Sequence, residues 1–61
     1  MYKVYTTRKA NNSDMSYEED ELDDKIVALN YARRLIRDKD VVKVHIVDDS
    51  NNTIYLKDKR K

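Results

Sequence analysis

One stretch of this chain carries sustained helical periodicity, and every other apolar run needs it as a cover. Between Leu22 and Arg37, apolar residues recur at three- and four-residue steps: Leu22, Ile26, Leu29, Ala32 and Ile36. At about 100° per residue these share one face, with Ala28 and Leu35 on its flank. Asp23 and Asp24 open the stretch, while Arg33, Arg34 and Arg37 close it, an order that complements the helix dipole. Asp23 or Asp24 is the expected N-cap. The chain has no glycine, so the helix end must place an Asp or Lys in the left-handed region or fray.

A single helix can cover one side of one small sheet, and the chain supplies strands for that sheet. Tyr2, Val4 and Thr6 alternate with Lys3, Tyr5 and Thr7 in a first strand, with Val4 and Tyr2 toward the core. Arg8 to Asp14, containing Ala-Asn-Asn-Ser-Asp, reads as a loop. Val41 to Val47 is the strongest strand: Val42, Val44 and Ile46 form one face, and Val41, Lys43, His45 and Val47 the other. Asp48 to Asn52 is turn chemistry, and Asn51 or Asn52 can take positive φ at low cost. Thr53 to Lys57 returns, with Ile54 and Leu56 inward and Thr53, Tyr55 and Lys57 outward.

Met15 to Glu21 is the ambiguous stretch. Ser16-Tyr17-Glu18-Glu19 matches a capping box, which would start the helix early. A helix beginning at Tyr17 would overshoot short strands of this kind. A short edge strand running back along the first is preferred, with its Glu residues opposite Lys3 and Arg8.

These elements predict an α+β domain: one amphipathic helix on a small, mostly antiparallel sheet of three or four strands, in the order β-(β)-α-β-β. It spans residues 1–61 as one unit, with 58–61 a frayed basic tail. The first strand can lie parallel beside Val41–Val47 or antiparallel beside the final strand, and nothing in the sequence decides between them. A chain of 61 residues buries about 60% of its extended surface on folding, so its stability is small. With no cysteine there is neither disulfide nor thiolate staple; the core must suffice, or the core plus a second copy.

Composition removes several functions. Without glycine there is no Gly-rich phosphate loop and no dinucleotide fingerprint. One histidine and no cysteine cannot assemble a usual zinc site. Glu18 to Asp24 holds six carboxylates in seven residues but lacks the spacing and the turn glycine of a calcium loop, so it reads as a solvated acidic face. Ser50, His45 and Asp48 contain the residue types of a nucleophilic triad, but a hairpin tip offers no oxyanion hole. No cofactor, no metal and no enzymatic activity are expected. Thirteen basic against twelve acidic residues is too even for a dedicated nucleic-acid binder. No apolar run approaches the roughly 20 residues of a membrane span, and no stretch resembles a signal peptide, so a cytoplasmic protein is expected. AT-rich codons favour Asn, Lys, Asp, Tyr and Ile over Gly, Pro and Ala, and with glycine and proline both absent an AT-rich bacterium or its phage is the expected source.

The expected function is a small non-enzymatic protein-interaction module, such as a phage-encoded modulator of a host protein. Its expected interaction surface is the sheet face opposite the helix, carrying Tyr5, Val41, His45, Val47 and Tyr55. A homodimer through that face is expected first. A second surface is the outer face of the helix, with Val27, Tyr31 and Arg34. The alternative is single-stranded nucleic-acid binding by Tyr5, Tyr55, Lys43 and Lys57 on the open sheet.

Overall fold

The computed structural model describes residues 1–10 and 13–60. Four strands and one helix follow in the order β1 (Tyr2–Ala10), β2 (Ser13–Leu22), α1 (Lys25–Leu35), β3 (Val41–Val47) and β4 (Thr53–Asp58). The strands form one antiparallel sheet in the order β2-β1-β3-β4, with α1 packed on one side. The expected α+β architecture is what the chain adopts.

Met15–Glu21 belongs to the edge strand. It lies within β2, which pairs along the whole of β1 from Tyr2↔Leu22 to Ala10↔Ser13. Opposite charges explain part of the pairing, since Lys3 faces Glu21 and Arg8 binds Glu19. The expected loop at Arg8–Asp14 is correspondingly shorter, because both strands run into it; Asn11 and Asn12 lie outside the described residues. Neither expected position for the first strand holds. Strand β2 turns the chain round before the helix, so β1 comes to lie antiparallel beside β3.

Helix α1 starts later than its apolar pattern. Asp24 is the N-cap, and its carboxylate accepts from the Ile26 and Val27 amides at 2.8 and 3.3 Å. Leu22 is the last residue of β2 and pairs with Tyr2. Removing Leu22 from the helix shifts the core stripe. Ala28 and Ala32 are fully buried, flanked by half-buried Leu29, Tyr31, Leu35 and Ile36. Ile26 stands about 160° round the helix from Ala28 and is 70% exposed, so it is not a core residue. The helix ends without a left-handed residue. Arg37 and Asp38 amides reach back to Arg34 and Leu35 carbonyls in a tightened last turn, and Asn51 alone among the described residues has positive φ.

The core consists of Val4, Ala28, Ala32, Val41, Val44 and Ile46, all fully buried. Two irregularities in pairing decide which β3 and β4 residues reach it. Between Thr7 and Arg8 the register against β3 slips at Val42, and Val41 moves to the helix side. Between Ile46 and Val47 the register against β4 slips at Ile54, so Tyr55 pairs with Ile46 and packs on the core. Leu56 then pairs with His45 and is 55% exposed on the opposite side, where an inward position was expected. Part of the segment expected to fray at 58–61 makes backbone contacts. Asp58 closes β4, the Lys59 amide donates to the Val42 carbonyl, and Lys61 alone of that segment lies outside the described residues.

One polar cluster ties the sheet to the helix exit. A third slip, between Val4 and Tyr5, makes Glu19 an extra residue in β2. Glu19 accepts from the Thr6 hydroxyl at 2.6 Å and from Arg8 at 3.0 and 3.1 Å. Arg8 also reaches Asp38 at 3.2 Å. The Thr6 hydroxyl first, and the Arg8 guanidinium with it, hold the Glu19 carboxyl below its ordinary pKa against the opposing effect of partial burial. A carboxyl lowered in the folded state stabilises the fold above its unfolded pKa, and that contribution disappears as pH falls through the folded value. Glu19→Gln keeps an acceptor for Thr6 but removes the charge. It is expected to cost about 1 kcal/mol at neutral pH, a modest value because the site is open to solvent on one side. Thermal melts of both proteins from pH 7 to pH 3 should show the gap closing below about pH 4.3, the unfolded carboxyl value. A gap that stays constant over that range would exclude the charge as its origin.

Candidate functional site

The surface opposite the helix follows from the strand register. Residues paired across neighbouring strands share a side, so Tyr5, Glu18, His45 and Leu56 form one row. Thr7, Ser16, Lys43 and Asp58 form the next, and Lys3, Glu21, Val47 and Thr53 the row beyond. The Tyr5 and His45 rings lie 6.4 Å apart at a tilt of 41°. His45 Nε2 shares a hydrogen bond of 2.9 Å with the Thr53 hydroxyl, and the Thr7 and Ser16 hydroxyls are 3.1 Å apart. Tyr5, Thr7, Ser16, Lys43 and His45 line a shallow depression in the middle of this face.

The face is therefore composed differently from expectation. Tyr5 and His45 are on it, both half-buried. Val47 shares their side by register but is only 7% exposed. Val41 and Tyr55 are not on it, because the slips at Val42 and Ile54 carry them to the helix side. Leu56 takes the place Tyr55 was to fill. The doubled apolar pairs Val41-Val42 and Ile54-Tyr55 were the available signal, since strict alternation cannot seat both members of such a pair.

The same correction divides the platform expected for nucleic acid. Tyr5 and Lys43 are on the open side, whereas Tyr55 and Lys57 are on the helix side; Lys57 pairs with core residue Val44. Of the further bases, the Lys59 ammonium donates to the Asp38 carbonyl, and Arg60 is bound by Asp58 and Asp14. Ser50, His45 and Asp48 do not converge. The Asp48 carboxylate accepts from the Ser50 and Asn52 amides and fixes the hairpin turn, while His45 is bound to Thr53.

Val27, Tyr31 and Arg34 do come together, though not on the outer face of the helix. With the core stripe centred on Ala28 and Ala32, Val27 and Tyr31 stand about 100° and 60° from Ala28. They turn toward β2 and, with Arg34, Asn30, Asp20 and Leu22, line a groove of about 340 Å³ between helix and edge strand. Tyr31 also packs against the core; Val27 is 50% exposed. The contributions of Asp20, Leu22 and Asn30 were not legible before β2 was known to lie beside α1.

Among the described residues no group of three or more His, Cys, Asp or Glu side chains is placed to hold a metal ion. No helix among them is long and apolar enough to cross a membrane. No protein-family model, curated protein or solved structure matches the chain.

Proposed function

We propose that this chain is a non-enzymatic protein-interaction module that pairs with a second copy of itself through the open sheet face. The observation that carries this reading is the side of the sheet that α1 leaves uncovered, where 55%-exposed Leu56 adjoins His45 and Tyr5 stands on the far side of His45. The charges on this side suit self-pairing. Acids line its β2 margin (Glu18, Glu21), and Lys3 and Lys43 stand on the inner strands β1 and β3. A twofold contact pairs residue i of one copy with j of the other, and j with i, so each Lys43 can meet the opposite Glu18.

Leu56→Lys tests the face without touching the core. In a monomer the change falls at an exposed position and should alter stability by less than about 0.5 kcal/mol. In a dimer it removes an apolar contact worth about 1.5–3 kcal/mol at each of two symmetric positions. The wild-type melting temperature is expected to rise with protein concentration, as association requires, and that of Leu56→Lys to stay constant. Equal, concentration-independent melting of both would overturn self-association and leave the face to a different partner, such as a host protein.

A further inference from the structure

A second surface has a different chemistry. Strand β2 is a sheet edge, so the backbone amides and carbonyls on its outer side have no strand beside them. The groove between β2 and α1 runs next to that edge, with an apolar floor of Leu22, Val27 and Tyr31. From Ser13 to Leu22 the strand carries Asp14, Glu18, Glu19, Asp20 and Glu21 and no base. Arg60 engages Asp14 and Arg8 engages Glu19. Among the described residues Glu18, Asp20 and Glu21 make no ion pair within 4 Å, although Lys3 faces Glu21 across the strands.

We propose that β2 accepts a basic, extended segment of another protein as a fifth strand, with an apolar side chain of that segment seated in the groove. An added strand supplies main-chain hydrogen bonds along an edge and reads alternate side chains through pockets beside it. The register here sets the alternation. Positions opposite Asp20 and Leu22 face the helix side and the groove, so they are apolar. Positions opposite Glu18 and Glu21 face the other side, so they are Lys or Arg. The same charges decide against a second copy as occupant. Antiparallel β2–β2 pairing centred on the groove at Asp20 would set Asp20 against Asp20 and Glu19 against Glu21, and like charges across strands repel. Acidic residues on an edge discourage indiscriminate strand pairing, and what they leave admissible is a strand of opposite charge. The two surfaces share Glu18 and Glu21, but Leu56 belongs only to the sheet face and Val27 only to the groove, so Leu56→Lys and Val27→Glu let either proposal fail alone.

The probe is the amidated hexapeptide Lys-Ile-Lys-Leu-Lys-Ile, titrated into the ¹⁵N-labelled protein and followed by amide chemical shifts. Its controls are the block sequence Ile-Leu-Ile-Lys-Lys-Lys and the acidic Glu-Ile-Glu-Leu-Glu-Ile. Saturable shifts are expected along β2 and at Val27, Tyr31 and Arg34, with the alternating basic peptide bound at least about tenfold more tightly than either control. Val27→Glu, which adds attraction for lysine but spoils the apolar floor, should weaken binding about tenfold. Glu18→Lys with Glu21→Lys should reverse the preference toward the acidic peptide. The proposal is overturned by no shifts at about 1 mM peptide, by shifts centred on Tyr5, Lys43 and His45, by equal binding of the block peptide, or by variants that change nothing.

Discussion

Ile46→Ala is expected to lower the unfolding free energy at 25 °C by about 2–5 kcal/mol. Ile46 is the largest fully buried side chain among the described residues. It sits on the central strand β3, paired with Val4 on one side and Tyr55 on the other. Truncating a buried Ile to Ala costs about 2–5 kcal/mol, because lost transfer energy is joined by the cavity left behind. A domain of 61 residues, at roughly 0.05–0.15 kcal/mol per residue, has about 3–9 kcal/mol in total. The substitution therefore removes about a fifth of the stability at the least, and all of it at the other end of these ranges. Ile26→Ala is the matched control. The same residue type at 70% exposure should change stability by less than about 0.5 kcal/mol. Urea unfolding of the three proteins, followed by circular dichroism, measures the difference. Similar losses for the two variants would mean that the helix is rotated from the position described.

The second large effect is the opposite kind of error, overfilling. Ala28 and Ala32 are the only fully buried helix residues, and their small side chains let α1 settle close to β1 and β3. Ala32→Leu adds three carbons where packing is already complete. It should cost about 1–3 kcal/mol, or roughly 5–20 °C in melting temperature for a domain this size. Arg33→Leu, one residue along and exposed, places the same side chain in water and should leave the melting temperature within a few degrees. A stabilising Ala32→Leu would show that the space beneath the helix is not filled.

How much of this could be read in advance depends on the element. The architecture was legible because each segment's local pattern agreed with its neighbours. Asp24 stood where a cap was needed, Asn51 where positive φ was needed, and the Lys3–Glu21 pair where two strands had to meet. The faces were less legible, because a period-2 argument fails wherever a strand carries an extra residue. One residue of slip at Val42 moved Val41 to the core; another at Ile54 exchanged Tyr55 for Leu56. On the helix, counting Leu22 as its first apolar residue rotated the stripe and hid the central role of Ala28. The Glu19 site depends on a third slip, and nothing in a run of four acids distinguishes the one that turns inward. The groove beside α1 depends on which strand ends up at the edge, a long-range outcome that local patterns do not encode.

Sedimentation equilibrium of the wild-type protein at about 100 μM, a concentration that populates even a weak interface, tests the central claim most directly. Self-association through the open sheet face predicts a mass near twice the 7.3 kDa of one chain, returning to 7.3 kDa in Leu56→Lys. A wild-type protein that sediments at 7.3 kDa, indistinguishable from the variant, would contradict it.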